Sequence, residues 1–324
     1  MSFIINFQLL PMQPLIDAVD RKLILQELTK EKFVRHTNFA HNEIYIITAH
    51  DSPNIMLEIG RLRELSFRLA GGGTGSETDI DVYDTMPTPY KQLIVWSPEE
   101  QEIIGGYRYI KLSDVTPDHT GKYDLATTHM FDFSENFIEN YLKHTIELGR
   151  SFVQPKFQPA RDSRKGIFSL DNLWDGLGAL HVNNPEMKFF FGKVTLYLTY
   201  DQHARDAILY FMHKFFPDPD NLVVPYDPKE YTTDIAEYEQ LFVHKKYEDN
   251  HKELVRFVRS RGENIPPLVN AYMNLSPTMK TFGSALNKDF GEVEEVGILV
   301  RLPDIYPSKK HRHIDSYLKE KNPK

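Results

Sequence analysis

Apolar positions along the chain recur with two periods, and the period changes element by element. Residues 14–32 (PLIDAVDRKLILQELTKEK) place Ile16, Val19, Leu23, Ile24 and Leu28 near helical spacing, which predicts an amphipathic helix. EIYIITAH (43–50) is β-branched and aromatic and reads as a strand ended by Asp51-Ser52-Pro53. Helical spacing returns over 53–69 through Met56, Ile59, Leu62 and Phe67, with Ser52 or Asp51 as cap and Gly71 as stop. QLIVWS (92–97) and EIIGGYRYIKL (102–112) flank a turn-like Pro98-Glu99-Glu100-Gln101 and predict an antiparallel hairpin. Gly105 and Gly106 inside its second strand mark a bulge or a close approach by another backbone or a ligand.

The second half continues the alternation. A short helix near 134–143 and a strand at 144–153 lead into the loop QPKFQPARDSRKG. A helix follows at about 169–182, with Leu170, Leu173, Trp174, Leu177 and Leu180 at helical spacing and Ser169 as cap. FFFGKVTLYLTY (189–200) reads as a strand, and Asp201 opens a helix bearing Ala204, Ala207, Ile208, Phe211, Met212 and Phe215. Residues 230–262 are charged with sparse apolar positions and read as peripheral helices; a last strand, VGILVRL (296–302), precedes the basic tail PSKKHRHIDSYLKEKNPK, expected to be solvated. The pattern implies an α/β fold with a mixed central sheet and helices on both faces. The expected organisation is an N-terminal helical extension (1–42), one main domain (43–305) with a helical elaboration at about 220–262, and a basic tail (306–324).

Composition narrows the function without naming it. The 324 residues carry a formal charge of −8, which argues against nucleic acid as a partner because phosphate contacts need a basic face. There is no cysteine, so thiolate metal sites, disulfides and cysteine nucleophiles are excluded. The first residues lack the charged n-region of a secretion signal, and no window holds eighteen uninterrupted apolar residues, so the expectation is a cytoplasmic protein with at most peripheral membrane contact.

Charges of both signs sit inside apolar runs in two places. One is GRLRELSFRLAGGGTGSETDIDVYD with the following hairpin, carrying Arg61, Arg63, Asp79, Asp81, Asp84 and Arg108; the other is TIELGRSFV, carrying Glu147 and Arg150. Such charges are costly when buried unless they pair or bind something. Glu147 and Arg150 lie three apart, so in a regular strand they would face opposite sides unless a bulge intervenes. Other motifs fall away. GGGTG has no following Lys-Ser/Thr pair and fits neither phosphate-loop nor dinucleotide spacing; there is no HExxH, no G-x-S-x-G and no calcium-loop pattern after Asp79, so no metal is expected.

The series RLRELSFR, GGGTG, DIDVYD, QLIVW, EIIGGYR, ELGRSFV, LWDGLGAL and FFFGKVT, in that order, resembles the GNAT-type acyltransferases grouped as haemolysin-like or as ornithine and glycine N-acyltransferases of aminolipid synthesis. It is also distantly similar to the acyl-homoserine-lactone synthases. The segment TNFAHNEIYIITAHDSPNIMLEIGRLREL brings it closest to the glycine-lipid branch, whose enzymes acylate the glycine amine with a 3-hydroxyacyl chain. The resemblance spans about 43–305 and implies a GNAT-like, mainly antiparallel sheet. It implies Glu147, Arg108 and Asp84 as catalytic residues, with Arg63, Phe67, Asp81 and Arg150 at the substrate. It also implies no permanent cofactor, a co-substrate in the form of acyl-phosphopantetheine on acyl carrier protein or acyl-CoA, and a small amino-acid acceptor.

QPKFQPARDSRKG departs from the pyrophosphate loop of acetyl-CoA enzymes, which favours the carrier protein and makes Arg161, Arg164 and Lys165 candidates for docking it. The rival functions are an acyl-CoA-dependent N-acetyltransferase on the same fold, a haemolysin-like membrane-active protein, and a carrier-binding module without catalysis.

Overall fold

The computed structural model describes residues 12–158 and 168–322. Its elements in order are α1 (Arg21–Glu27), β1 (Phe33–His36), β2 (Glu43–Ile47), α2 (Pro53–Ala70), α3 (Val82–Thr85), β3 (Lys91–Ser97), β4 (Glu102–Lys111), β5 (Phe131–Phe133), α4 (Glu135–Asn140), β6 (Thr145–Val153) and α5 (Ser169–Asn183). There follow β7 (Phe189–Leu196), α6 (Gln202–Phe215), β8 (Val223–Pro225), α7 (Ala236–Leu241), α8 (Tyr247–Ser260), α9 (Pro267–Met273), β9 (Lys280–Asn287), β10 (Val293–Arg301), α10 (Pro307–Lys310) and α11 (Ser316–Lys321). Eight strands form one sheet in the order β1-β2-β3-β4-β6-β7-β10-β9; β6 and β7 are the parallel pair in it and the other pairs are antiparallel. The mixed, mainly antiparallel sheet implied by the sequence is thus present.

Alternation along the strands assigns each face. Leu93, Val95, Tyr107, Ile146, Leu148 and Phe190 join one core with Leu173 and Leu177 of α5 and with Ala204 and Ile208 of α6. On the opposite face Ile94, Trp96, Ile103 and Phe152 pack under α2 through Ile55, Ile59 and Leu62. Farther along that face Ile110, Phe191 and Leu299 meet Phe131 and Phe137 in a third core. The second and third cores share one face of the sheet but are separate, and the strip between them carries charge.

Three sequence expectations change. Only Arg21–Glu27 of the stretch 14–32 is helical, because Pro14 and the Asp20 cap bound it; ahead of the cap, Gln13 and Ile16 donate their amides to the carbonyls of Gly75 and Glu77. Ser169 is not a cap: it lies inside α5 and donates its hydroxyl to the Phe157 carbonyl. The tail is not solvated over its described length. It coils through a π-helical turn, His311–Asp315, onto α5, where the fully buried Asp175 meets His313 Nδ1 at 2.8 Å and the Asn38 side chain at 2.6 Å. Gly178 of α5 leaves room for this, since a Cβ there would lie 2.2 Å from the His313 carbonyl oxygen.

Gly105 shows the close approach the sequence suggested. A Cβ on it would stand 2.3 Å from the carbonyl oxygen of Phe152 on β6, a backbone atom that cannot swing away. Gly105→Ala is expected to destabilise the fold by about 1–3 kcal/mol, the usual cost of forced overpacking, read as a lowered urea midpoint. An unchanged midpoint would mean that β4 and β6 separate without penalty.

Candidate active site

The charged strip is assembled from five strands, helix α2 and one capped turn. Asp81 caps α3, accepting from the Tyr83 amide at 2.9 Å, while the Asp84 carboxylate reaches back to the Asp81 amide at 3.2 Å. This reciprocal box is what a short D-x-x-D turn can form, and it aims both carboxylates at the sheet. The cluster is therefore not a solvated turn: Asp79 and Asp84 are fully buried.

Arg63 of α2, with no exposed surface, reaches Asp84 at 3.2 Å and also donates to the Gln92 side chain from β3. Gln92 in turn donates to Asp84 at 2.9 Å. Arg108 of β4 holds Asp81 at 2.7 Å and lies 3.4 Å from Asp84, with the rings of Tyr83 and Tyr90 beneath it. Burial pushes the Asp84 carboxyl up, but the guanidiniums of Arg63 and Arg108 more than reverse this and leave it below its ordinary value. Every contact so far is made by the Arg108 Nη1; its Nε has no partner in the protein although it is buried. Arg63 is thus a buried anchor, and Arg108 a held arginine with an unused edge.

Strand β6 supplies the rest through a bulge. Between Gly106↔Phe152 and Arg108↔Gly149 its register slips by one residue, and Arg150 takes a left-handed φ of 47°. The parity rule is broken there, and Glu147 and Arg150 come to the same side. They do not pair with each other. Arg150 binds Asp79 at 2.9 Å and lies over the Phe290 ring at 4.2 Å. Phe67 touches that same ring edge-on, so its place is behind Arg150 and not in the strip.

Glu147 is 1% exposed and its Oε2 makes no hydrogen bond to the protein. Burial pushes the Glu147 carboxyl up to about 7, with Arg108, Lys193 and the hydroxyls of Tyr90 and Thr127 pulling the other way. A carboxyl poised near neutrality suits proton transfer. On β7, Lys193 binds Glu295 of β10 at 2.6 Å and completes the strip. Sequence reasoning passed over Gln92, Tyr90, Thr127, Lys193 and Glu295. A lysine inside FFFGKVT and two glutamates inside VEEVGILV carry the same signal that flagged Glu147.

Beside this strip the sheet opens. Parallel pairing of β6 and β7 ends at Leu148↔Gly192; from there β6 bulges away while β7 stays with β10. The gap is a narrow cleft lined by Gly149, Arg150 and Ser151 on one side and by Gly192 and Lys193 on the other, with Tyr107, Leu268 and Tyr272 at its base. Its edge on β6 has no strand partner on the β7 side, so backbone groups there are available to a ligand.

Several sequence candidates lie elsewhere. The GGGTG loop does not await a phosphate: the Glu64 carboxylate already accepts from the amides of Thr74 at 2.9 Å and Gly75 at 2.7 Å, and from the Thr74 hydroxyl. Arg161, Arg164 and Lys165 fall outside the described residues. Among the described residues no cluster of His, Asp and Glu could hold a metal, and no helix is long and apolar enough to cross a membrane.

Comparison with known proteins adds the following. A family model described as an acetyltransferase (GNAT) domain matches residues 62–164, a span that contains Arg63, the three aspartates, Arg108, Glu147 and Arg150. A glycine N(alpha)-acyltransferase of Phocaeicola vulgatus is 53% identical over 309 residues, 95% of this chain and 95% of that protein. A protein of the same name from Bacteroides thetaiotaomicron is 53% identical over 307 residues, 95% of this chain and 91% of that one. Among solved structures, the AHL synthase LasI aligns over 48% of this chain and 73% of that one, with 14% identity and a TM-score of 0.31, too remote to carry weight.

Two measurements test the electrostatics. Asp84→Ala strands Arg63 and Arg108 without their shared carboxylate and is expected to cost about 3–5 kcal/mol in denaturant unfolding. Glu147 holds its proton more tightly folded (about 7) than at its ordinary value of 4.5. Between those values the folded state binds more protons than the unfolded one, so this residue's contribution to stability falls as pH rises through that window and is flat outside it. From about pH 4 to about pH 8, wild type should lose about 3 kcal/mol relative to Glu147→Gln. Parallel curves for the two proteins would show that Glu147 titrates normally.

Proposed function

The chain belongs to the family of these glycine N(alpha)-acyltransferases with a GNAT domain and is an N-acyltransferase; from that footing we propose that it moves a long, 3-hydroxylated acyl group from the phosphopantetheine thioester of an acyl carrier protein to the amine of glycine. The observation that carries the reading is the pair of buried, unpartnered groups beside an open cleft: Glu147 Oε2, which takes a proton, and Arg108 Nε, which donates to a carboxylate. A zwitterionic amino acid supplies both partners at once.

In this scheme the acceptor carboxylate rests on the free edge of Arg108, which Asp81 and Asp84 keep fixed. Its ammonium gives one proton to Glu147. The freed amine attacks the thioester carbonyl held in the cleft between β6 and β7, and the oxyanion that forms takes hydrogen bonds from the unpaired β6 edge. The C–S bond then breaks, the amide forms, and the second amine proton leaves with the sulfur as a thiol. No covalent acyl-enzyme enters the scheme. The carrier protein is favoured as donor because the segment after β6 lacks the glycine-rich pyrophosphate loop that CoA requires. The product is an amphiphile, so peripheral contact with the cytoplasmic face of a membrane belongs to the proposal as the route of its release.

The test uses purified protein, glycine and long-chain acyl donors on carrier protein or on CoA, with products read by mass spectrometry. N-acylglycine is expected from the carrier-protein donor. Its rate should rise with pH through about 7 as Glu147 loses its proton. Glu147→Gln should lower kcat by about 10²–10⁴ and remove that limb of the profile. Turnover with acyl-CoA alone would replace the donor. A Glu147→Gln protein as active as wild type would remove Glu147 as the base.

A further inference from the structure

The cleft between β6 and β7 passes through the sheet, and its two ends differ in chemistry. Toward the charged strip it shows Arg150 and Lys193. Toward α5 and α9 it enters the main core, where Leu148, Phe190, Leu268 and Ile298 line it. Such a lining suits the methylene chain of an acyl donor. Within it, three residues break the apolar pattern with hydroxyl groups: Tyr107 from β4, Ser151 from β6 and Tyr272 from α9.

Tyr107 is the informative one. It is 2% exposed, and its hydroxyl is turned toward those of Ser151 and Tyr272, so three hydroxyls gather in an otherwise apolar wall. Polar groups buried in such a lining have one another as partners and can turn to a polar atom that enters. Phenylalanine in place of Tyr107 would fill the same space without the polar atom. The Tyr272 ring is fixed edge-on against Trp174 of α5, which holds the residue at the cleft wall. Ser151 follows the left-handed Arg150, so the same bulge that turns Arg150 toward the charged strip sets Ser151 beside the cleft.

We infer that Tyr107, with Ser151 and Tyr272, forms a polar subsite on the acyl side of the cleft that reads an oxygen substituent carried by the donor chain close to its thioester. The position follows from the strand register. Gly149, where the parallel pairing has just ended, is the partner of Arg108 across β4 and β6, and Tyr107 is the next residue along β4 but faces the opposite side of the sheet. A thioester carbonyl between Gly149 and Gly192 therefore has the acceptor on one face and Tyr107 within the first few chain atoms on the other. This deepens the proposed function and rests on it: the subsite has meaning only if an acyl chain enters here. It assigns the discrimination between hydroxylated and plain chains to residues away from Glu147 and Arg108.

The experiment measures initial rates of glycine acylation by the full chain with two donors on the same carrier, 3-hydroxyhexadecanoyl and hexadecanoyl. Wild type is expected to favour the hydroxylated donor. Tyr107→Phe should reduce that preference, read as the ratio of kcat/KM for the two donors, by about tenfold, the effect of one lost hydrogen bond in a buried site. Ser151→Ala, a smaller change at a partly open position, should reduce it in the same direction and guards against a Tyr107 variant that folds poorly. Two results overturn the subsite. One is an unchanged preference in both variants. The other is an equal slowing with both donors, which would give the hydroxyl a part in the transfer step or in packing. Wild type that acylates glycine from neither donor would instead overturn the function on which the subsite depends.

Discussion

A belt of charge sealed between two hydrophobic cores has to come close to electrical balance, and most of the site follows from that requirement. The cations are Arg63, Arg108, Arg150 and Lys193; the carboxylates are Asp79, Asp81, Asp84, Glu147 and Glu295. Four against five leaves one negative charge too many for a buried strip. The surplus is relieved if one carboxyl keeps a proton, and Glu147 is the carboxyl that no cation touches directly. Arg63, with no exposed surface, acts on the belt through its partners. By fixing Asp84 and Gln92 it fixes Arg108, and with Arg108 the field around Glu147.

The same belt explains why the sheet is built as it is. Gln92, Arg108, Glu147, Lys193 and Glu295 occupy one face of five neighbouring strands, β3, β4, β6, β7 and β10, so the site exists only when those strands are in register. Two local irregularities finish it. The bulge at Arg150 brings a second arginine to the face that already holds Glu147, and the divergence of β6 from β7 opens a passage from the belt to the main core. Removing the bulge would restore strand parity and send Arg150 to the wrong side.

Much of this was legible in the residues. α2, the β3–β4 hairpin, β6, α5 and α6 carry long, clean periodicities, and a large core rewards such patterns. The acidic turn, Arg63, Arg108 and the Glu147–Arg150 pair stood out as charges in apolar surroundings, although whether the pair shared a side depended on a bulge that spacing alone does not reveal. β9 was missed because KTFGSALN buries polar side chains, with Ser284 bonded to Glu294 and Asn287 to Glu295. β1 is only four residues long and takes its identity from pairing with β2. The tail misled for a related reason. Its basic residues face outward, while His313 and Ile314 are buried against α5, and five residues of burial pattern do not outweigh the charge around them.

That docked tail has a bearing on how the protein folds. Asp175 sits without exposed surface at the middle of α5 and is satisfied by two groups from distant parts of the chain, Asn38 near the start and His313 near the finish. A contact between positions so far apart in the chain closes late in folding, after the segments between them have packed. Until it closes, a buried carboxylate lacks one of its hydrogen bonds and the seam against α5 stands uncovered.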